Sequence, residues 1–254
     1  MFPLFLSALL ALAADSAVSS PPRTVLVELF TSQGCSSCPP AEKLLAELNQ
    51  AGLPPDRVIR LAFHVDYWDG IGWKDPFSSS AFTTRQHLYA RNMRLSTVYT
   101  PQVVVDGAYE MLGSDQSRVV NAIRYRLESP ANFSVEVSVD TSPARNAKII
   151  VRVIPAAGPA FRDPKWIYAA TFLPEATTQV HAGENAGRSI RQVQIVRALA
   201  DPVLFRPGKS SETAVFQLPL EAGESVAAWI QDYRTFSIDQ ATVWRGGGRR
   251  PPNS

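Results

Sequence analysis

The chain has 254 residues, a formal net charge of +2 at pH 7 and two cysteines. Two cysteines do not make a disulfide-stapled scaffold, so the core must come from hydrophobic burial, and this length suffices for one large domain or two ordinary ones. The charge itself points to no class of partner, and the sequence has no basic stripe suited to nucleic acid.

Residues 1–14 form an apolar stretch that is too short to span a bilayer as a stable helix and is flanked at its end by small residues. This pattern predicts a secretory signal peptide that is cleaved after Ala13 or Ala14. No later segment approaches membrane-spanning length. We therefore expect a mature protein that is soluble, periplasmic or secreted, and free of the membrane.

Residues 24–128 alternate between strand and helix patterns. The predicted elements are a strand at 24–30, a helix from Pro39 that ends at Gly52, a strand at 57–65, a helix at about 79–95, strands at 98–105 and 108–112, and a helix at about 114–128. Asp106-Gly107 predicts a tight hairpin turn between the last two strands. The order β-α-β-α-β-β-α predicts an α/β, thioredoxin-like domain with one inserted helix.

After Ser129-Pro130 the pattern changes to alternating apolar and polar residues, typical of strands with one buried face. Strand-like runs follow at 133–139, 148–154, 166–173, 190–199, 212–218 and 225–233, separated by turns rich in Pro, Gly, Asn and Asp. They predict a second, smaller and mostly antiparallel β-sandwich-like domain over 131–244. Residues 245–254 are predicted to form a loose tail.

Cys35 and Cys38 lie between the first strand and the first helix. This spacing brings both sulfurs to one side of a first helical turn, where unpaired N–H groups and the helix dipole favour a thiolate. A dithiol of this kind favours redox chemistry over half of a metal site or an inert structural disulfide. A structural disulfide is disfavoured because so short a loop constrains little of the unfolded chain. We predict that Cys35, nearer solvent, attacks, and that Cys38 resolves the mixed disulfide.

Two further residues are predicted to serve this dithiol. Pro101 begins a strand after Thr100, and in the thioredoxin fold this position is a cis-proline that faces the cysteines, where the preceding backbone binds an extended substrate by strand addition. Glu28 interrupts the first apolar strand, and a carboxylate under the dithiol would relay a proton to or from Cys38. The alternative for Glu28 is a strand residue that faces solvent or pairs with a basic residue.

His64 ends the second predicted strand. Parallel strands joined by a helix share one carboxyl edge, so we expect His64 near Cys35. A histidine there is more often a packing residue, but with two thiols it would also suit a base or a ligand of a soft ion such as Cu(I). Tyr67 and Trp68 follow in the same loop and, beyond packing, would contact a peptide substrate.

Other polar residues have plainer interpretations. Arg85 and Gln86, on the inserted helix, are expected on a solvated face, although the fold would also allow them, like Gln102, to point toward the site. The polar, glycine-rich loop at 181–188 is expected to be a connection rather than a binding loop, although loops of this composition often carry function.

Three stretches carry a resemblance to a known family: ELFTSQGCSSCPP at 28–40, HVDYWD at 64–69 and YTPQ at 99–102. The sequence resembles a family of secreted bacterial proteins that carry a thioredoxin-like domain of unknown function. The resemblance implies a thioredoxin-like fold and an extracytoplasmic location, but no substrate. Unlike ordinary thioredoxins, the sequence lacks a Trp-Cys-Gly-Pro-Cys site, and its strand carboxylate lies one residue further from the first cysteine.

Three hypotheses follow. The first is a periplasmic thiol–disulfide oxidoreductase that needs no cofactor and acts on exported proteins with thiols or disulfides, together with a redox partner. The second is a module that handles copper or another soft metal through Cys35, Cys38 and His64. The third is a binding protein that keeps the fold without turnover.

Overall fold

The computed structural model describes residues 21–141, 146–156 and 161–246. The predicted signal peptide at 1–14 lies outside these residues, as does most of the predicted tail at 245–254. Among the described residues, no helix has both the length and the apolar character needed to cross a membrane. The structure is mixed α/β, dominated by strands in one large sheet, with few helices.

The first part of the chain follows the predicted order of elements. These are β1 (Val25–Thr31), α1 (Pro39–Glu47), β2 (Val58–His64), α2 (Ser80–Asn92), β3 (Gln102–Val105), β4 (Tyr109–Leu112) and α3 (Gln116–Glu128), and a short 3-10 helix, Leu48–Gln50, extends α1. β3 and β4 pair as an antiparallel hairpin. Asp106 and Gly107 between them have φ values of +48° and +62°, which confirms the predicted tight turn.

The second part of the chain is composed of strands. They are β5 (Phe133–Asp140), β6 (Asn146–Pro155), β7 (Lys165–Gln179), β8 (Ser189–Leu199), β9 (Val203–Phe205), β10 (Glu212–Pro219), β11 (Ser225–Asp232) and β12 (Ile238–Trp244). The sequence analysis missed β9, which has only three residues, and β12, where Asp239 and Gln240 interrupt the apolar pattern.

Nine strands form one sheet in the order β12-β11-β7-β8-β2-β1-β3-β4, with β9 paired to β7, and β10-β6-β5 form a second sheet. Most neighbours are antiparallel, but β1 and β2 pair in parallel, and β8 joins β2 in parallel at Ala62 and Ile195. The C-terminal strands therefore extend the sheet of the first half instead of forming only a separate sandwich. β8 covers the edge of β2, which would otherwise expose unpaired backbone groups.

β1 is buried along its whole length and packs on both faces. Because side chains alternate along a strand, Val27 and Leu29 pack in the core beneath α1 and α3, whereas Leu26 and Phe30 pack on the opposite face, where α2 lies. A third core lies between the second sheet and the C-terminal strands, around Ile149 and Ile167 among others. The alternation decides to which side each polar residue of β1 points.

Candidate functional site

Cys35 and Cys38 form a disulfide, with their Cα atoms 5.5 Å apart. The Cys38 amide donates to the Cys35 carbonyl oxygen at 3.3 Å, and Cys38 is the N-cap of α1. Pro39 and Pro40 occupy the first helical positions, where the missing proline N–H costs no helical hydrogen bond. The sequence predicts both cysteines inside the first turn of the helix. The structure instead places them immediately before the helix.

Neither cysteine reaches solvent, since both residues are 0% exposed. The prediction that Cys35 lies nearer solvent is therefore wrong for this structure. The reason is tertiary: a loop from the second half of the chain packs over the turn that contains the disulfide.

This cover is the β7–β8 loop, residues 180–188. The side-chain amide of Asn185 donates to the carbonyl oxygens of Gln33 at 2.9 Å and of Cys35 at 3.0 Å. The backbone amide of Ser36 donates to the carboxylate of Glu184 at 3.1 Å. The loop was expected to be a mere connection, and these contacts show that it belongs to the site.

Trp73 anchors the β7–β8 loop to the cysteine turn. Its indole N–H donates to Gln33 Oε1 at 3.0 Å, and its ring packs edge-on against His181, with the centroids 6.0 Å apart. Gly183, with φ +72°, approaches so closely that a Cβ atom there would lie 3.1 Å from the Trp73 Cβ. Backbone and side-chain contacts to Trp73 therefore both hold the β7–β8 loop against the cysteine turn.

The Thr100–Pro101 peptide bond is cis, which confirms the predicted cis bond at Pro101. Trp68 connects this segment to the cysteine turn: its indole N–H donates to Thr100 Oγ1 at 2.8 Å, and its Cβ lies 3.3 Å from the place a Cβ on Gly34 would take. Tyr67, by contrast, is 38% exposed and donates its hydroxyl to Gln86 at 3.2 Å. The structure therefore brings Trp68 and Thr100 to the site but leaves Tyr67 at its rim.

Glu28 does not lie beneath the disulfide. It points to the face of β1 opposite α1, where Arg85 donates to its two carboxylate oxygens at 2.5 and 3.1 Å and the Tyr89 hydroxyl donates to it as well. Alternation along β1 explains this, because residue 28 shares a face with Leu26 and Phe30. The structure supports the ion-paired alternative for Glu28 and does not place it to relay protons for Cys38.

Arg85 and Gln86 are buried, and the expectation of a solvated helix face is wrong. Burial alone would lower the pKa of Arg85, but the Glu28 carboxylate raises it overall. Gln86 donates to the Tyr99 carbonyl at 2.8 Å and to Gln102 Oε1 at 3.0 Å. Both side chains therefore hold α2 to the sheet.

A different carboxylate, that of Glu42 on α1, packs against the face of β1 nearest the cysteines. The sequence analysis missed this residue. Glu42 lies one helical turn after Cys38 and is 7% exposed. Thr31 Oγ1 donates to its Oε1 at 2.8 Å, and Gln192 Nε2 donates to the same atom at 2.7 Å. Its position in phase with the buried Leu45 was the signal that could have identified it.

His64 ends β2 on the same face and is 0% exposed. Its Nδ1 lies 2.7 Å from Asp75 Oδ2, which also accepts from the Gln33 amide at 2.8 Å. Burial alone would raise the pKa of Asp75, but His64 and the hydrogen bonds to the carboxylate hold it below its usual value. Within the described ranges, no three His, Cys, Asp or Glu side chains are grouped to hold a metal ion.

The model of a family described as "Protein of unknown function (DUF1223)" matches residues 26–231. The chain belongs to this family. Its members carry no assigned activity in that description, so the family adds no substrate to the site. No curated protein matches the sequence.

Two solved structures resemble this DUF1223 protein over 93% of its length. A structural-genomics protein from Agrobacterium tumefaciens is 26% identical, with all of its chain covered and a TM-score of 0.65. HBP35 of Porphyromonas gingivalis is 16% identical, with 79% of its chain covered and a TM-score of 0.68. The second likeness shows the fold alone.

The DUF1223 chain also has an open groove of about 650 Å³ beside α1. One wall is α1, including Pro39, Glu42 and Lys43, and the other is the end of the β7–β8 loop with the start of β8, including Arg188 and Arg191. Pro39 directly follows Cys38, so the groove begins next to the disulfide. Glu42 is the residue through which the buried polar groups under α1 reach this groove.

Proposed function

We propose that this protein is a periplasmic, thioredoxin-like thiol–disulfide oxidoreductase that acts through Cys35 and Cys38 on exported proteins. The observation that carries the proposal is the Cys35–Cys38 disulfide at the amino end of α1. Helix amino termini favour thiolates, and the carboxyl edges of parallel strands are where α/β folds place their sites.

The arrangement around the disulfide supports the thioredoxin-like part of the proposal. The order β1-α1-β2-α2-β3-β4-α3 is that of a thioredoxin-like unit with one inserted helix. The cis Thr100–Pro101 segment joins the cysteine turn through Trp68. The backbone at Thr100 is the place where an extended substrate would add by strand pairing.

The proposed reaction moves two electrons from the dithiol to a substrate disulfide. The Cys35 thiolate attacks one substrate sulfur, the substrate S–S bond breaks, and the first substrate thiolate leaves. Cys38, after losing its proton, attacks the Cys35 sulfur of the mixed disulfide and releases the second substrate thiolate. The same steps in reverse oxidise a dithiol substrate, and a second dithiol or disulfide protein regenerates the starting state.

Access to Cys35 requires movement of the β7–β8 loop, because both cysteines are out of contact with solvent. Asn185 donates to the Gln33 and Cys35 carbonyl oxygens, and Glu184 accepts from the Ser36 amide, so the loop occupies backbone groups before and after the Cys35 side chain. A substrate segment would take over these hydrogen bonds as the loop withdraws. In this proposal the second half of the chain controls entry to the dithiol.

The cellular part of the proposal follows from the sequence. The apolar stretch at 1–14 would direct export, and cleavage would release a protein that has no membrane attachment. In the oxidising space outside the cytoplasm, thiol and disulfide proteins are the available substrates and partners.

The first test is a redox titration of the Cys35–Cys38 couple against defined thiol buffers, read by thiol-trapping mass spectrometry. We expect a reversible midpoint between about −120 and −270 mV, the span of known thioredoxin-fold catalysts. A pair that stays oxidised below about −300 mV would be a structural bridge and would overturn the proposal. A couple that titrates only after a chelator is added would favour the metal alternative.

A second test captures the mixed disulfide with a disulfide-linked test peptide. Cys38→Ser should accumulate a covalent adduct at Cys35, because the resolving sulfur is gone. The matched control is the double variant Cys35→Ser/Cys38→Ser, which should form none. Absence of an adduct in a folded Cys38→Ser protein would count against the proposal.

A further inference from the structure

A cluster of buried polar side chains, Glu42, Thr31 and Gln192, lies beneath the first turn of α1, on the face of the sheet nearest the disulfide. Its centre is Glu42, whose amide donates to the Cys38 carbonyl at 3.2 Å, so the two residues lie one turn apart on the same side of the helix. Thr31 and Gln192 both donate to Glu42 Oε1. Within the described part of the chain, no residue donates a hydrogen bond to Glu42 Oε2. This oxygen is therefore free to accept a proton.

His64 faces Glu42 across a narrow void that has no room for a water molecule. The void is lined by residues of α1, β1, β2 and β8, among them Leu29, Leu45 and Gln192. His64 Nδ1 is engaged by Asp75, but within the described part of the chain the buried Nε2 atom has no hydrogen-bond partner. An unpartnered buried ring nitrogen is costly, and in a native structure such a group calls for a structural or functional explanation.

Glu42 also lines the open groove between α1 and β8, so it links the dry void to solvent. The titratable and charged groups that face it from the packed elements are His64 and Asp75 from the β2 side, Arg188 from the β7–β8 loop and Arg191 from β8. Arg191 is held by Glu175 at 2.5 and 2.7 Å, and Arg188 donates to Asn185 at 2.9 Å. On its own helix, Lys43 and Glu47 lie 3.9 Å apart.

We propose that Glu42 accepts the proton of Cys38 when Cys38 attacks the mixed disulfide, and that Thr31 and Gln192, which donate to its Oε1 atom, position it. This inference rests on the proposed function. The Cys38 S–H bond breaks and its proton passes to the Glu42 carboxylate. The Cys38 sulfur then bonds to Cys35, the bond between Cys35 and the substrate sulfur breaks, and the substrate leaves as a thiolate with the electron pair of that bond.

Two properties fit Glu42 for this task. Burial raises the pKa of Glu42 above its usual value, and His64 and the hydrogen bonds from Gln192 and Thr31 offset this only in part. A carboxylate whose proton affinity is raised toward that of its partner exchanges protons more effectively near neutral pH. The groove then gives the proton a way out to solvent.

The test follows the reduced protein as it reacts with an aromatic disulfide whose released thiol absorbs visible light. Attack by Cys35 releases the first equivalent, and attack by Cys38 on the mixed disulfide releases the second, so the two phases report the two sulfurs separately. We expect Glu42→Gln to slow the second phase by about 10²-fold, in the range of a positioned proton acceptor, and to leave the first phase unchanged.

The matched control is Glu47→Gln, an isosteric change at an exposed residue of the same helix, which should alter neither phase. In the wild type, the rate of the second phase should rise with pH as Glu42 loses its proton, and Glu42→Gln should lose this rise. Gln192→Leu, which keeps the carboxylate but removes one donor, should shift the pH at which the rise occurs.

Three results are decisive. A second phase in folded Glu42→Gln that keeps the wild-type rate and pH profile would overturn the inference while leaving the proposed function intact. Absence of both phases in the wild type would overturn the proposed function itself. If Glu42→Gln fails to fold, the pH profile of Gln192→Leu decides, and an unshifted profile would overturn the inference.

Discussion

The side-chain amide of Asn185 donates a 3.0 Å hydrogen bond to the carbonyl oxygen of Cys35, across 150 positions of the sequence. The same amide binds the Gln33 carbonyl, and Glu184 next to it accepts from the Ser36 amide. The second half of the chain thus closes the cysteine turn at its backbone. We therefore expect a reagent to reach the buried Cys35 sulfur more readily when this contact loosens.

The first prediction concerns this cover. Asn185→Ala removes both hydrogen bonds, so the β7–β8 loop opens more often and a small phosphine should reduce the disulfide about tenfold faster, equivalent to about 1.4 kcal/mol. Thiol-trapping mass spectrometry measures the rate. Asn121→Ala, at an exposed position of α3, is the matched control and should leave it unchanged. Equal rates for the two variants would mean that the loop does not limit access.

The elements of the first half were predictable because local patterns specify them. β1 is an apolar run interrupted by Glu28, α1 begins at two prolines, and Asp106-Gly107 adopts the left-handed conformation that a two-residue hairpin turn requires. The parallel pairing of β8 with β2 was not predictable, because it joins residues more than a hundred positions apart and leaves no periodic signal in either strand.

The site was predictable only where one local motif contains it. The Thr100–Pro101 bond is cis as predicted, and the cysteine pair lies at the start of α1, but its complete burial was not expected. The choice between Glu28 and Glu42 depended on which face of β1 receives α1, and the strand pattern cannot show this when both faces are apolar. The β7–β8 loop reaches the site through tertiary packing, and its sequence resembles any polar turn.

The second prediction tests the position of Glu28. Glu28→Gln leaves the buried Arg85 guanidinium without its carboxylate, so the free energy of unfolding should fall by about 3–5 kcal/mol. Glu136→Gln, whose exposed carboxylate lies 4.0 Å from Arg152, should cost less than about 1 kcal/mol. Urea denaturation measures both.

The same variant separates structure from chemistry. Because Glu28 lies on the other face of β1 from α1, the rate of aromatic thiol release by the reduced dithiol should stay as in the wild type. A Glu28→Gln protein of full stability with a slow second phase would restore the relay role that the sequence suggested.

The third prediction concerns the approach of Pro101 to α1. A Cβ on Gly113 would lie 2.9 Å from the Ala41 Cβ and 3.2 Å from the Pro101 Cβ. Gly113→Ala should therefore push α1 and Pro101 apart and lower the free energy of unfolding by about 1–3 kcal/mol. Gly70→Ala is the control, because nothing lies within 4 Å of its added Cβ. Equal stability of the two variants in urea would show that the helix yields without cost.

The fourth prediction uses the sign of the Glu42 shift. Burial raises the pKa of Glu42 above 4.5, so the folded state holds a proton there that the unfolded state has lost. Stability from this group is therefore full below pH 4.5 and declines as the pH rises through the folded-state pKa. Glu42→Gln removes this titration. The free energy of unfolding of Glu42→Gln, relative to that of the wild type, should therefore increase as the pH rises from 4.5 to neutrality.

Urea unfolding of wild type, Glu42→Gln and Glu47→Gln across that range measures the difference at each pH. The Glu42→Gln difference should grow with pH, whereas the difference for Glu47→Gln, at an exposed position of the same helix, should stay flat. A difference that shrinks with rising pH would mean that the folded state stabilises the carboxylate. Glu42 would then hold its negative charge throughout and would be a poor acceptor for the Cys38 proton.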